Sequence, residues 1–200
     1  MGQGFMGNIL HVHLSSRKIR IEEKEDSFYR SLLGGRGIGY HYLLKHVPPQ
    51  TDPLSEKNIL VLSTGVMTGS PLPASCRFAA VGKSPLTGAA GESESAGFFG
   101  PELKMAGFDA VVFHGKAETP VFLWVTNGKA EIKDASDLAR LGTKEAEDTI
   151  RSELGNSKIR VAQTGLAGMN QVLYANITNN LGHFCGRYGL GAVMGAKNVR

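Results

Sequence analysis

Glycine in this chain is concentrated in three segments: Gly34-Gly35-Arg36-Gly37-Ile38-Gly39, the stretch from Gly88 to Gly100, and Gly186-Arg187-Tyr188-Gly189-Leu190-Gly191 running on to Gly195. Glycine loses more backbone freedom on folding than any other residue, so such runs weaken regular helices and strands. They mark places where the chain turns sharply or where something must approach the backbone closely. The 26 glycines in 200 residues far exceed the ~7% average. Two of the three clusters also carry arginine. Main-chain N–H groups bared by glycine, with the bidentate fork of arginine beside them, suit a bulky phosphate-bearing ligand. The first expectation is therefore a large anionic cofactor held mostly by main chain.

The length allows one sizeable core. The net charge of +4 is spread among 22 basic and 18 acidic residues. No basic stripe or arm of the kind that binds nucleic acid is present. No apolar run reaches the ~20 residues of a membrane helix. The start, Met1-Gly2-Gln3-Gly4-Phe5-Met6, has no signal-peptide pattern, and Met6 stands where a myristoylation signal prefers Ser or Thr. The expected location is the cytoplasm, with no membrane and no nucleic-acid partner. Cys76 and Cys185 are the only cysteines. They form neither a zinc motif nor a disulfide framework, and are expected to be reduced, partly buried small hydrophobes.

Residues 8–14 and 18–22 alternate with period two across Ser15-Ser16-Arg17, predicting an opening hairpin. Helices are predicted over 26–33, capped by Asp26 or Ser27 and stopped by Gly34, and over 38–46, ended by Pro48-Pro49. Strands are predicted at 58–62, 77–81 and 108–113, with a turn at 84–88 and a helix over 101–106. Asn127-Gly128 joins two strands at 121–125 and 129–132. Thr143 to Leu154 reads as a helix capped by Thr143, strands follow at 159–162 and 172–177, and 188–194 is expected to be helical. Hairpin-forming strands outnumber helices, which indicates an α+β fold rather than a doubly wound sheet. No linker divides the chain, so residues 1–200 read as one domain.

Ordinary nucleotide motifs fail. Gly189-Leu190-Gly191-Ala192-Val193-Met194-Gly195 has three residues where GxGxxG has two, Gly35-Arg36-Gly37-Ile38-Gly39-Tyr40 lacks the third glycine, and no Walker A loop occurs. Three longer strings instead carry a family resemblance: Lys83-Ser84-Pro85-Leu86-Thr87-Gly88; Gly97-Phe98-Phe99-Gly100-Pro101-Glu102-Leu103-Lys104-Met105-Ala106-Gly107-Phe108-Asp109-Ala110; and Gly186 through Asn198. With Gly35-Arg36-Gly37 upstream and Lys116-Ala117-Glu118-Thr119-Pro120-Val121 between, they resemble, in the same order, the N-terminal domain of the aldehyde ferredoxin oxidoreductases. The resemblance runs from about Gly7 to the end.

The resemblance implies a tungsten or molybdenum enzyme in which two pyranopterin dithiolenes chelate the metal. It also implies a 4Fe-4S cluster, held by residues outside this chain, that passes electrons to ferredoxin. The implied fold is a two-sheet, β-rich base on which the bis-pterin lies. Four dithiolene sulfurs ligate the metal, so no Cys or His ligand is needed from this chain. By the same resemblance Arg77 bridges pterin and cluster, and the backbone carbonyls of Glu94 and Phe184 hold a magnesium ion between the pterin phosphates. Ser95, Gly97 and Gly186 lie in the same strings. His183 stands where the family has a second arginine, and Arg187 and Arg36 remain as phosphate partners. Departures at Glu94, Leu166, Met169 and His183 mark a divergent subfamily.

His11, His13, His41 and His46 are expected at solvent or hairpin-edge positions, Glu92 and Glu94 in a loop, and Trp124 beside Phe122 in the core. Family members are about three times as long, so this chain is expected to be a piece of a longer polypeptide or one part of a split enzyme, inactive alone. Its implied partners are the remainder of that polypeptide or a partner subunit, ferredoxin and an aldehyde substrate, with a homodimer also open. The expected reaction is oxidation of an aldehyde to a carboxylic acid. The alternatives are a relative acting on other substrates, such as aromatic-ring reduction, and a non-catalytic anion-binding remnant.

Overall fold

The computed structural model describes residues 4–200; the reading of Met1-Gly2-Gln3 as a start without targeting pattern lies outside them. The opening hairpin forms from β1 (Asn8–His13) and β2 (Lys18–Glu23), turned at Arg17 with φ 53°. Strands β3 (Leu60–Thr64), β4 (Phe78–Lys83) and β5 (Ala90–Ser95) make an antiparallel meander. A sixth strand, β6 (Ala110–His114), lies between the two units, parallel to β1 and antiparallel to β3. The sheet order is therefore β2-β1-β6-β3-β4-β5.

Alternation splits this sheet into two apolar faces. Ile9, Val61, Ala79, Val81 and Val112 point to one side, where they meet helices α1 (Asp26–Leu32) and α2 (Arg36–His46). Gly39 brings α2 down onto β4: a Cβ there would lie 2.3 Å from Val81 Cγ2. The α1 helix ends at Leu33, itself left-handed at φ 57°, one residue before the expected glycine, and neither Asp26 nor Ser27 caps it: its cap position is Glu25, without a side-chain hydrogen bond.

Leu10, Val12, Leu62, Phe78, Ala80, Val111 and Phe113 point to the other side. They are covered by α3 (Phe99–Met105), the hairpin of β7 (Val121–Thr126) and β8 (Lys129–Asp134), and the C-terminal segments. The hairpin turns at Asn127 and Gly128 with φ 46° and 75°, the primed-turn geometry that an Asn-Gly pair predicts. Helix α4 (Thr143–Glu153) packs Ala146 and Ile150 onto Phe122 and Leu138 in a satellite core, against which Trp124 is half-buried. Its cap position is Gly142 rather than Thr143, and the Glu145 carboxylate accepts the Gly142 N–H at 3.0 Å. A three-stranded sheet of β9 (Ala162–Thr164), β10 (Ile177–Asn179) and β11 (His183–Cys185) follows, with the short α5 (Leu166–Met169) and a closing α6 (Leu190–Ala196). The α+β expectation holds, but in place of the two sheets that the resemblance implies the described residues form one large sheet and two small ones.

Two buried charges tie the parts together. The Asp109 carboxylate accepts the N–H groups of Met6 and Gly7 at 2.9 and 2.8 Å, fixing the start of the chain to β6. Lys197, 1% exposed, donates to Asn58 O and Gly115 O, and burial pushes its pKa down to about 8. Among the described residues no helix is long and apolar enough to cross a membrane.

Candidate functional site

The candidate residues converge where the free edge of β5 meets the β10–β11 hairpin. Glu92 and Glu94, expected in a loop, lie in strand β5, where Phe78 pairs with Ser95 and Ala79 with Glu94. The sequence Ala-Gly-Glu-Ser-Glu-Ser is poor in strand-forming residues, but it alternates with period two. Ser93 and Ser95 turn inward and are buried, while Glu92 and Glu94 face the side of α2. The serines are satisfied there: Asn179 Nδ2 donates to Ser95 Oγ at 2.8 Å, and the Arg187 N–H donates to Ser93 Oγ at 3.2 Å. Ser95 can therefore reach a ligand only through its main chain.

Gly97, at φ +99°, lies beneath the hairpin turn, and a Cβ there would be 2.2 Å from Asn179 Oδ1. Asn180, left-handed at φ 50°, accepts the Phe98 N–H at 2.8 Å. These contacts lock the loop after β5 to the turn before β11. Sequence reasoning missed Asn179 and Asn180; their signal was the Asn-Asn pair, whose side chains favour left-handed turns. His183 and Phe184 are exposed on β11, while Cys185 between them and Gly186 points into the core, its thiol pushed up to about 12 by burial. Cys185 is the buried small hydrophobe expected, and Cys76 is half-buried. Gly186 is exposed with nothing within 4 Å of a Cβ position, leaving open space above the backbone.

Arg77 precedes β4 at the end paired with Ser95, and its side chain is exposed; Arg187, also exposed, lies farther along β5 beside Ser93. Arg36 opens α2 and reaches Glu94 at 2.8 Å and Glu92 at 3.4 Å. The Glu94 hydrogen bond and the Glu92 charge raise the Arg36 pKa further. The extra carboxylate at 94 is thus offset within the protein. Glu92 and Glu94 are charge partners of one arginine rather than an acid/base pair.

The histidine expectation needs one correction. His11 is 2% exposed, because β1 is flanked by both β2 and β6 and its alternate face looks toward α2. Its Nε2 meets Glu22 Oε2 at 2.9 Å and its Nδ1 meets His114 Nε2 at 2.9 Å, while Tyr42 O–H donates to Glu22. An ionised Glu22 only accepts, so His11 Nε2 carries the proton there and His114 Nε2 donates to His11 Nδ1. His13 and His46 lie outside this chain of bonds and are exposed, with ring centroids 4.8 and 5.2 Å from that of His114. His41 is half-buried against Phe28 and Tyr42.

The edge thus offers two exposed guanidiniums without ion pairs among the described residues, an exposed histidine, and open main chain at Gly186. Buried Thr178 Oγ1 and Asn179 Oδ1 beside it lack hydrogen-bond partners. The two guanidiniums and the open main chain suit a polyanionic group.

Comparison with known proteins agrees in sequence and shape. The chain is 43% identical to the tungsten-containing aldehyde ferredoxin oxidoreductase of Pyrococcus furiosus over 98% of its own length and 33% of the relative's. The enzyme of the same name in Thermococcus kodakarensis is 40% identical over the same shares, and the WOR-like subunit of an aliphatic sulfonate oxidoreductase from Pyrococcus furiosus is 32% identical over 98% of this chain and 34% of its own. The active site complex of benzoyl coenzyme A reductase, solved with 1,5-dienoyl-CoA, superimposes with a TM-score of 0.96 at 36% identity, covering 100% of this chain and 30% of that one. The chain therefore spans about a third of the length of these relatives. Residues 9–200 match the family described as aldehyde ferredoxin oxidoreductase, N-terminal domain, and with that match covering nearly every strand and helix described above, the chain belongs to this family.

Proposed function

We propose that residues 1–200 act as one domain, the base that holds a tungsten or molybdenum bis-pyranopterin in a cytoplasmic oxidoreductase. The whole enzyme would oxidise an aldehyde to a carboxylic acid and pass the electrons to ferredoxin through a 4Fe-4S cluster bound elsewhere. The observation that carries this is the convergence on one sheet edge of Arg77, the end of β5, Gly97, the exposed β11 strand, Gly186 and Arg187. When bound, the cofactor would supply the redox chemistry. The chain's own residues would bind and orient it: Arg77 and Arg187 by donating forked hydrogen bonds to anionic oxygens, with His183 adding one donor. The carbonyls of Glu94 and Phe184 would hold a magnesium ion between phosphates. Gly186 would keep a side chain out of the space the cofactor occupies, and Gly97 would let the loop after β5 pack under the β10–β11 turn that borders it.

Arg77→Ala in the full-length protein tests this. Tungsten and pterin content per polypeptide should fall sharply while the fold is retained; unchanged content would leave an anion-binding remnant as the better description. A second reading, a relative that acts on an acyl thioester or another substrate, is favoured by the likeness to the benzoyl coenzyme A reductase complex and by the departures at Glu94, Leu166, Met169 and His183. Parallel turnover assays of the full-length protein with aldehydes and with aryl thioesters separate the two.

A further inference from the structure

A cavity of about 370 Å³ lies between α3, the main sheet, strand β7 and the segment leading into β9. Its volume falls within the ~300–1,000 Å³ range of small-molecule sites. Its interior is apolar, with Leu62, Phe113, Phe122, Trp124, Ile159 and Met194 among its walls. Polar side chains, Thr126, Asn127 and Asn156 among them, complete the lining. Arg200 is held by the backbone, donating to the carbonyls of Leu138, Leu141 and Thr164. Glu102 and Lys158 are exposed at the rim.

Arg160 differs from these. It lines the cavity, its Nε is buried, and that N–H has no hydrogen-bond partner. The guanidinium is held over the Phe98 ring at 4.8 Å, so a cation is fixed at the edge of an apolar chamber with a donor unsatisfied. Lys158 adds a second positive charge at the rim and Glu102 a negative one. A carboxylate matches the fork of a guanidinium, and an alkyl chain matches the walls.

We infer that this cavity binds a medium-chain carboxylate, with its carboxyl group on Arg160 and its alkyl chain among Phe113, Phe122, Trp124 and Ile159. Through Phe98 the site adjoins the sheet edge assigned to the cofactor, but it does not depend on that assignment.

The sole tryptophan of the chain, Trp124, lies in the wall and reports occupancy, with Trp124→Phe identifying its signal in the full-length protein. Titration with decanoate should give a saturable fluorescence change, and octanoate should bind about fifteenfold more weakly, at about fourfold per methylene buried. Decanol, lacking the charge, should bind about tenfold more weakly than decanoate, and Arg160→Gln should remove that difference. Ala106→Phe, placed in the cavity wall, should abolish the signal while the thermal midpoint stays near that of the parent. Decanol binding as tightly as decanoate to the unaltered protein overturns the inference even if the variants fail to fold. So does the absence of any saturable change, the result expected if another part of the polypeptide fills the chamber.

Discussion

Gly97→Ala separates the packing of the candidate site from its chemistry. Two costs add in this substitution. Alanine in left-handed backbone costs about 1–2 kcal/mol, and Gly97 sits at φ +99°. The new methyl would stand 2.2 Å from Asn179 Oδ1, so the Asn179 side chain must move and give up its hydrogen bonds to Ser95 Oγ and Ala96 O. Two such bonds are worth about 1 kcal/mol each, giving a total near 3–4 kcal/mol. Gly186→Ala is the matched control, since Gly186 has nothing within 4 Å of its Cβ position and does not adopt a positive φ. It should change stability by less than about 0.5 kcal/mol, yet lower cofactor content if the open space above it is the cofactor's. Denaturant unfolding read as a shift in midpoint at constant slope gives both stabilities, and metal analysis gives the content. A Gly97→Ala variant within about 1 kcal/mol of the parent would refute the locking role of the Asn179 contact.

Three further outcomes follow from the geometry. Glu94→Gln should leave the thermal midpoint unchanged, because the Arg36 ion pair is solvated, while calorimetry should show tighter pyrophosphate binding once Arg36 is released; unchanged affinity would remove Arg36 from the phosphate partners. Acidification should destabilise the fold from about pH 6.5 downward. Burial, then the charges of His11, His13 and His46, push the His114 pKa down to about 3, so the unfolded chain takes a proton there before the native one. Glu22 acts in the same direction below pH 4.5: burial opposes its ionisation, but hydrogen bonds from Tyr42, Lys24 and His11 hold it at about 2. Urea midpoints between pH 7 and 4 should fall, less steeply in His114→Gln; equal slopes would sink this account. Gly39→Ala should cost about 1–3 kcal/mol by overpacking against Val81, and adding Val81→Ala should recover part of the loss; strict additivity would show that the contact is not the cause.

How much of this was legible in the sequence depended on what holds each element. The opening hairpin, the Asn-Gly hairpin and α4 carry their own signals in alternation, turn chemistry and helical spacing, and all formed close to where expected. Strand β5 had almost no propensity of its own. Its structure comes from pairing with β4 and from serine hydroxyls satisfied by residues 84 to 94 positions away. The later strands were placed several residues early: 159–162 became Ala162–Thr164 and 172–177 became Ile177–Asn179, because tertiary pairing rather than the apolar run sets their limits. His11 looked like an edge residue until β6, from a hundred residues away, covered the other side of β1. The Arg36–Glu94 pair was likewise invisible, since each partner was noted for phosphate chemistry and nothing local linked α2 to β5.

The position of β6 between β1 and β3 also constrains the chain during its synthesis. The N-terminal hairpin leaves the ribosome with one flank of β1 unpaired, and its partner is made about a hundred residues later. At about 5–20 residues per second the delay is roughly five to twenty seconds. Throughout it, Ile9, Leu10 and Val12 present an uncovered apolar edge of the kind that recruits other strands. The meander of β3, β4 and β5 can form meanwhile, but it too keeps an open side at β3 until Ala110–His114 arrives. Yield of this protein in a cell should therefore depend on translation speed and on chaperones that shield nascent strands, and slow codons just before residue 110 would lengthen the vulnerable interval.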